Sequence, residues 1–331
     1  MFHFLCISLK RYNIKNHKIM SKVSVIGAGN VGATVVDALA QREAVNEVVL
    51  LDVKENLAEG KGLDIWEAAP IRLSDTRITG ITNDYSKTAN SDVVVITAGV
   101  PRKPGQSRDD LISINANIVK TVTENVAKHS PDAIILIVSN PLDVMTYAAS
   151  LASGKPHNKV FGMAGVLDTA RYRAFIAEAL DVSVRDIQAL LMGGHGDTMV
   201  PLPRYTTIAG IPLPQLMDEE TINKIVERTK KGGGEIVNLL GTSAWYAPGN
   251  AVAEMVESIV KDQKRILPAC AYLDGEYGLK DVYLGVPVKL GKNGIEQIIE
   301  IELNEKEKDN LVNSYNSVRE VMKVLDDMKL F

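Results

Sequence analysis

Short apolar runs and helical repeats alternate along the first half of the chain. The runs with strand character are Val23 to Ile26, Glu47 to Leu51, Arg77 to Gly80, Asp92 to Thr97 and Ala133 to Ser139. The last two, DVVVIT and AIILIVS, are almost continuously apolar, as expected of parallel strands covered on both faces. Helical spacing covers Val31 to Gln41, Asn56 to Ala69, Ser107 to His129 and Leu142 to Ser153. Ser107 suits an N-cap, and Asp109 and Asp110 follow where a helix dipole favours negative charge. Such alternation predicts an α/β fold, a Rossmann-type doubly wound parallel sheet with right-handed crossovers.

From about Phe161 the pattern changes to α+β. A helix is expected over Gly165 to Leu180, with short strands around Ile187 to Leu191 and Met199 to Ile208. Further helices are expected over Glu219 to Leu240, broken near Gly232-Gly233-Gly234, and over Ala251 to Lys261. Ile266 to Tyr272 and Val282 to Leu290 read as strands, and Gly291 to Gly294 as the link toward a last amphipathic helix, Glu305 to Lys329. The division implied is a nucleotide-binding domain over 20–162 and an α+β catalytic domain over 163–331. No repeat or low-complexity tether separates them, so the second half should dock on the first.

The first 19 residues stand apart. They hold four basic residues and no acidic one, but neither the charge order nor the cleavage site of a signal peptide. A disordered extension or an upstream start is the reading preferred over an organellar presequence, with the fold beginning near Met20.

Composition narrows the function. A net charge of -4 gives no basic field for nucleic acid and no polybasic membrane patch. No apolar run approaches the roughly 20 residues that span a bilayer. Two cysteines, Cys6 and Cys270, make no disulfide framework, so a reducing, cytoplasmic setting is expected. No metal site is expected.

The chemistry begins at Gly27-Ala28-Gly29-Asn30-Val31-Gly32, which follows the first strand and opens a helix. Gly27 permits a tight turn, Gly29 lets the backbone approach a pyrophosphate, and Gly32 allows close helix-strand packing. The free N–H groups of the helix start then face the phosphates. GxGxxG alone is weak, but Asp52 ends the second strand, where a carboxylate binds a ribose 2′-hydroxyl and repels a 2′-phosphate. NAD is therefore expected rather than NADP; the plainer role for Asp52 is a helix cap.

Four further motifs lie near the ends of expected elements. One is a Gly/Pro-rich loop, TAGVPRKPGQSR, with Arg102 and Arg108; the second is Val138-Ser139-Asn140-Pro141. The third is LDTARYR, where Asp168 and Arg171 are spaced to share a helix face. The fourth is Gly193-Gly194-His195-Gly196-Asp197. A histidine exchanges protons near neutral pH, a carboxylate orients its ring, and arginines recognise carboxylates in bidentate fashion. Singly these residues read as a turn histidine, a surface ion pair and solvated charges. Together, behind a nucleotide fingerprint, they describe oxidation of a 2-hydroxy acid.

In order and wording, GAGNVG, TAGVPRKPGQSRDDL, VSNPLDV, GVLDTARYR and GGHGDTMVPL make the chain resemble the lactate/malate dehydrogenase family from Met20 to about Met328. The likeness is greatest to members of lactate-dehydrogenase-like type that act on malate. The resemblance implies NAD-dependent interconversion of malate and oxaloacetate by a homo-oligomer, dimer or tetramer. It implies His195 as proton acceptor with Asp168 as its partner, and Arg171 on the C1 carboxylate. Arg108, on a loop closing over the site, would polarise the C2 oxygen. Asn140 would touch substrate and cofactor, Asn115 the cofactor, and the backbone of Val138 and Ser139 the nicotinamide. Thr242 or Ser243 would face the substrate. Arg102 would meet the group on C3, where an arginine suits a second carboxylate and a glutamine a methyl. A lactate dehydrogenase, or a silent NAD-binding protein, is the competing reading; Arg102 argues against the first, and the intact set of His195, Asp168, Arg171 and Arg108 against the second.

Overall fold

The computed structural model describes residues 22–101 and 108–331, with Arg108 described by its backbone alone. The first 19 residues with Met20, and the loop carrying Arg102 and Ser107, lie outside the described residues. The N-terminal half runs β1 (Lys22–Ile26), α1 (Asn30–Gln41), β2 (Glu47–Asp52), α2 (Leu57–Glu67), α3 (Ala69–Arg72), β3 (Arg77–Thr82), β4 (Val93–Ile96), α4 (Arg108–His129), β5 (Ile134–Ile137), α5 (Leu142–Ser153) and β6 (Val160–Gly162). Its strands lie parallel in the order β3-β2-β1-β4-β5-β6. This is the doubly wound arrangement, with its switch point beside β1. All four residues of β4 and of β5 are buried. Each such Val, Ile or Leu contributes about 1.5–3 kcal/mol relative to exposure, which makes these strands the anchor of the core.

The second half runs α6 (Gly165–Leu180), β7 (Ile187–Gln188), β8 (Leu191–Met192), β9 (Val200–Pro201), β10 (Thr207–Ile208), β11 (Ile211–Pro212), α7 (Glu219–Leu240), α8 (Tyr246–Val260), β12 (Arg265–Asp274), β13 (Lys280–Gly291), β14 (Gly294–Ile298) and α9 (Glu305–Asp327). It does more than dock. Antiparallel β12 joins β6 where Cys270 meets Gly162, and β13 and β14 extend the same sheet. Among the described residues the sheet thus has nine strands and one main core runs through both halves. A smaller apolar cluster, with Tyr172, Ile176, Ile187 and Ile225, sits where α6 and α7 meet β7 and β10.

Several expected elements are corrected. α7 runs unbroken through Gly232-Gly233-Gly234. Three glycines forfeit roughly 1 kcal/mol each relative to alanine in a helix interior. Buried Ile222, Ile225 and Thr229, the Asp218 cap on Thr221 N–H and the left-handed Gly241 at the C-terminus offset that loss. The expected helix to Ala69 stops at Glu67, because Pro70 has no N–H to donate back and sits instead in the first turn of α3. α8 starts at Tyr246, earlier than Ala251, since Pro248 sits in the first turn where its missing N–H costs nothing. Gly291 to Gly294 turns a hairpin into β14 rather than leading straight to α9. The strands expected over Ile187–Leu191 and Met199–Ile208 are each split in two, and three-residue β6 was too short to leave a periodic signal.

Candidate active site

The glycine-rich turn packs too closely for side chains. A Cβ on Gly32 would lie 1.8 Å from Gly27 O, and Gly27, at φ +108°, would strike Thr97 Oγ1 at 2.7 Å. Gly29 instead faces open space, with no atom within 4 Å of a Cβ placed there. Behind it, α1 starts at Asn30 and Val31 with no capping side chain and no acidic residue in its first turn. Its unspent N–H groups and positive dipole end therefore suit a diphosphate in that gap. Asp52 is at the carboxyl end of β2, where Oδ2 accepts the Ala28 N–H at 2.6 Å and Oδ1 the Lys54 N–H at 2.9 Å. It both holds the turn and caps the loop before α2.

Two loops face each other across the switch point. Ser139 Oγ donates to Ala98 O at 2.5 Å. Asn115, buried on α4, accepts the Val100 N–H at 2.8 Å and donates to Val100 O at 3.1 Å and to Asn140 O at 2.7 Å. Its amide is committed to the loop backbone, so it acts on the crevice by way of the loops it joins. Val138 is half-buried and Asn140 is exposed at the rim.

His195 is held from behind. Its Nδ1 lies 2.9 Å from Asp168 Oδ2, and Arg171 Nη1 donates to Asp168 Oδ1 at 3.3 Å. One helical turn of α6 carries both partners, as the three-residue spacing predicts. Exposure falls from 20% for the His195 side chain to 13% for Arg171 and 3% for Asp168, so the carboxylate is the buried member. Burial works against a charged imidazole, but the charge and hydrogen bond of Asp168, aided by Asp143, outweigh it and raise His195 above its ordinary pKa. Gly193 and Gly285 exchange hydrogen bonds at 2.8 and 3.1 Å, and a Cβ on Gly285 would meet Gly193 O at 2.4 Å. That close backbone approach fixes the base of the histidine loop.

Asp143 was missed by sequence reasoning. It is buried on the first turn of α5, and its Oδ2 accepts the His195 backbone N–H at 3.1 Å. An acidic residue just after Asn140-Pro141, at an expected helix start, was the available signal.

His195 opens on two cavities. One, of about 520 Å³, is lined by Asn140, Leu142, Asp143 and α9 residues such as Val318. The other, of about 580 Å³, is lined by Arg171, Lys230, Lys231, Gly233 and Glu235, giving it three cations against one carboxylate besides loop Asp197. The structure thus unites His195, Asp168 and Arg171, with Asn140 across the first cavity. Thr242 and Ser243 are exposed between α7 and α8 and line neither cavity. Arg102 and the Arg108 side chain lie outside the described residues.

A doubly wound nucleotide domain feeding a histidine–carboxylate pair beside a cationic pocket defines a two-domain, NAD-linked dehydrogenase architecture. Comparison with known proteins gives the family. Residues 21–162 match the lactate/malate dehydrogenase NAD binding domain, and 165–328 match the family's alpha/beta C-terminal domain. The chain belongs to the lactate/malate dehydrogenase family. It is 66% identical over 307 residues to malate dehydrogenase from Cytophaga hutchinsonii, covering 93% of this chain and 98% of that protein. The malate dehydrogenase structure from Salinibacter ruber matches with a TM-score of 0.90 at 59% identity, over 93% of this chain and 98% of that one. A lactate dehydrogenase from Cryptosporidium parvum, solved with lactic acid and nicotinamide adenine dinucleotide, matches with a TM-score of 0.89 at 39% identity, over 93% and 98% of the two chains.

Proposed function

We propose that this chain catalyses the reversible oxidation of malate to oxaloacetate, with NAD as hydride acceptor and His195 as proton acceptor. The observation that carries the reading is His195 bound to buried Asp168 on one side and open to the cationic Arg171 pocket on the other. The bound nicotinamide supplies the hydride chemistry. With Nδ1–H donated to Asp168, the ring takes the hydroxyl proton at Nε2, and Asp168 then steadies the imidazolium. In the reverse direction the protonated ring donates to the carbonyl oxygen of oxaloacetate. Arg171 takes the C1 carboxylate, and Lys230 and Lys231 add a field that draws in a dianion. Arg108 polarises the C2 oxygen, and Asn140 orients the substrate from the opposite rim. Asp52 and the Gly27–Gly32 turn hold the adenosine diphosphate part.

Arg102 is assigned the second carboxylate. The fold alone does not choose the substrate, since lactate dehydrogenase shares it. Pyruvate would strand Arg102 without a partner, a cost of about 3–5 kcal/mol, or two to three decades. Rates of NADH oxidation should therefore favour oxaloacetate over pyruvate by about a hundredfold or more, and Arg102→Gln should narrow that ratio. Comparable rates in the unaltered enzyme would overturn the substrate.

The exposed apolar residues Leu63, Trp66, Ile71 and Leu73 of α2 and its sequel support a homo-oligomer. Among the described residues no helix is long and apolar enough to cross a membrane. We place the enzyme in the cytoplasm on its cysteine usage, two residues that make no disulfide framework.

A further inference from the structure

Three successive backbone donors of the histidine loop are each held by a different element. Gly193 N–H donates to Gly285 O of β13, Gly194 N–H to Ser314 Oγ of α9 at 2.8 Å, and His195 N–H to Asp143 Oδ2 of α5. Only the third acceptor is an ionisable carboxyl: burial pushes it above the usual carboxylate range, while the Cys270 hydrogen bond and the nearby His195 favour its charged form. It also stands three residues after Asn140, so it ties the loop that carries His195 to the segment that carries Asn140. The carboxylate is fully engaged: Oδ1 accepts from Cys270 Sγ at 3.2 Å, and the packing is so close that a Cβ on Gly194 would lie 3.3 Å from Oδ2. Cys270, pushed well above its usual range by burial beside Asp143, stays a protonated donor.

We infer that Asp143 is a positioning residue for His195, holding the histidine loop in register with Asp168 and supplying a second negative charge that stabilises the imidazolium. The inference rests on the proposed role of His195 as acid and base. Other charged groups face His195 as well. Asp168 and Arg171 come from α6, Lys230, Lys231 and Glu235 from α7, and Asp197 from its own loop. Arg171 opposes the imidazolium and Asp168 is its main support, so Asp143 acts as the reserve that offsets burial. Its position at the N-terminus of α5 gives that buried charge the favourable end of a helix dipole.

The test compares Asp143→Asn and Asp143→Ala in the whole enzyme. The histidine ring is titrated by nitrogen NMR, with the signal assigned through His195→Asn, and kcat and KM for oxaloacetate are read alongside. Asparagine keeps an acceptor for the His195 N–H and removes the charge, so the His195 pKa should fall by about half a unit or more. Alanine removes both and should lower kcat about a hundredfold, as expected for a displaced proton donor, with KM little changed. Asparagine should recover much of that kcat. A merely structural residue would alter the melting temperature and leave the titration in place. Asp143→Asn with an unmoved His195 pKa and unchanged kcat would overturn the inference, and that nearly isosteric variant still reports if the alanine variant does not fold. Should the unaltered enzyme turn over neither malate nor oxaloacetate, the proposed function fails, while the titration still reports whether Asp143 acts on His195.

Discussion

Asp168→Asn is the perturbation with the widest consequence, because one carboxylate serves two partners. Its oxygens face His195 at 2.9 Å and Arg171 at 3.3 Å, and the side chain is 3% exposed. Removing one member of a buried pair costs about 3–5 kcal/mol, largely by leaving the other charge unpaired. At about 1.4 kcal/mol per decade, kcat/KM should fall by roughly two to three and a half decades. The sign of the pH effect follows from the causes acting on the ring. His195 is partly buried, which lowers its pKa, and Asp168 is the main contribution that raises it. With asparagine the pKa drops, so the ring is neutral at pH values where it is now charged. Reduction of oxaloacetate needs the charged ring, so its alkaline limb should move to lower pH. Oxidation of malate needs the neutral ring, so its acid limb should move the same way. The assay is kcat/KM in both directions across about pH 5 to 9, with NADH affinity followed by fluorescence. NADH binding should hold within about twofold, since Asp168 lies outside the nucleotide crevice. A loss smaller than tenfold, with both limbs unmoved, would refute the reasoning.

Two further outcomes test the neighbouring geometry. Gly232→Ala places a Cβ 3.1 Å from Arg171 Cδ, so the guanidinium must shift and KM for oxaloacetate should rise about tenfold while kcat changes less. Alanine is also the better helix former by up to about 1 kcal/mol, so a melting temperature that holds or rises beside a weaker KM separates misplacement from unfolding; an unchanged KM would remove Arg171 from substrate binding. Asp52→Asn removes the charge while keeping an acceptor for the Ala28 N–H, and should raise the NADPH to NADH ratio of kcat/KM by tenfold or more. A ratio that stays put would leave Asp52 as a cap of the turn alone.

Much of the site is legible before folding because its parts are local. The glycine turn, Asp52 at the end of an apolar strand and the Asp168–Arg171 spacing each lie within a few residues. Their geometry follows from strand and helix periods. The pairing of His195 with Asp168 was reached from chemistry and family likeness, and the structure sets them 2.9 Å apart. Asp143 escaped notice because its role depends on a loop 52 residues further on. Gly232-Gly233-Gly234 read as a break because local propensity cannot register the packing of α7 on α6 around Arg171.

By itself, then, the sequence determined the doubly wound nucleotide domain, the strand–turn–helix that meets the cofactor and the residues able to move a proton. Hydrophobic period, glycine sterics and side-chain chemistry act over short stretches and leave readable patterns. Only the tertiary structure decided that β12, β13 and β14 continue the parallel sheet, through the single meeting of Cys270 with Gly162. It alone decided which buried groups surround His195. Those contacts join segments up to 127 residues apart, as between Asp143 and Cys270, and are set by how whole elements pack. A one-dimensional pattern carries no record of that packing.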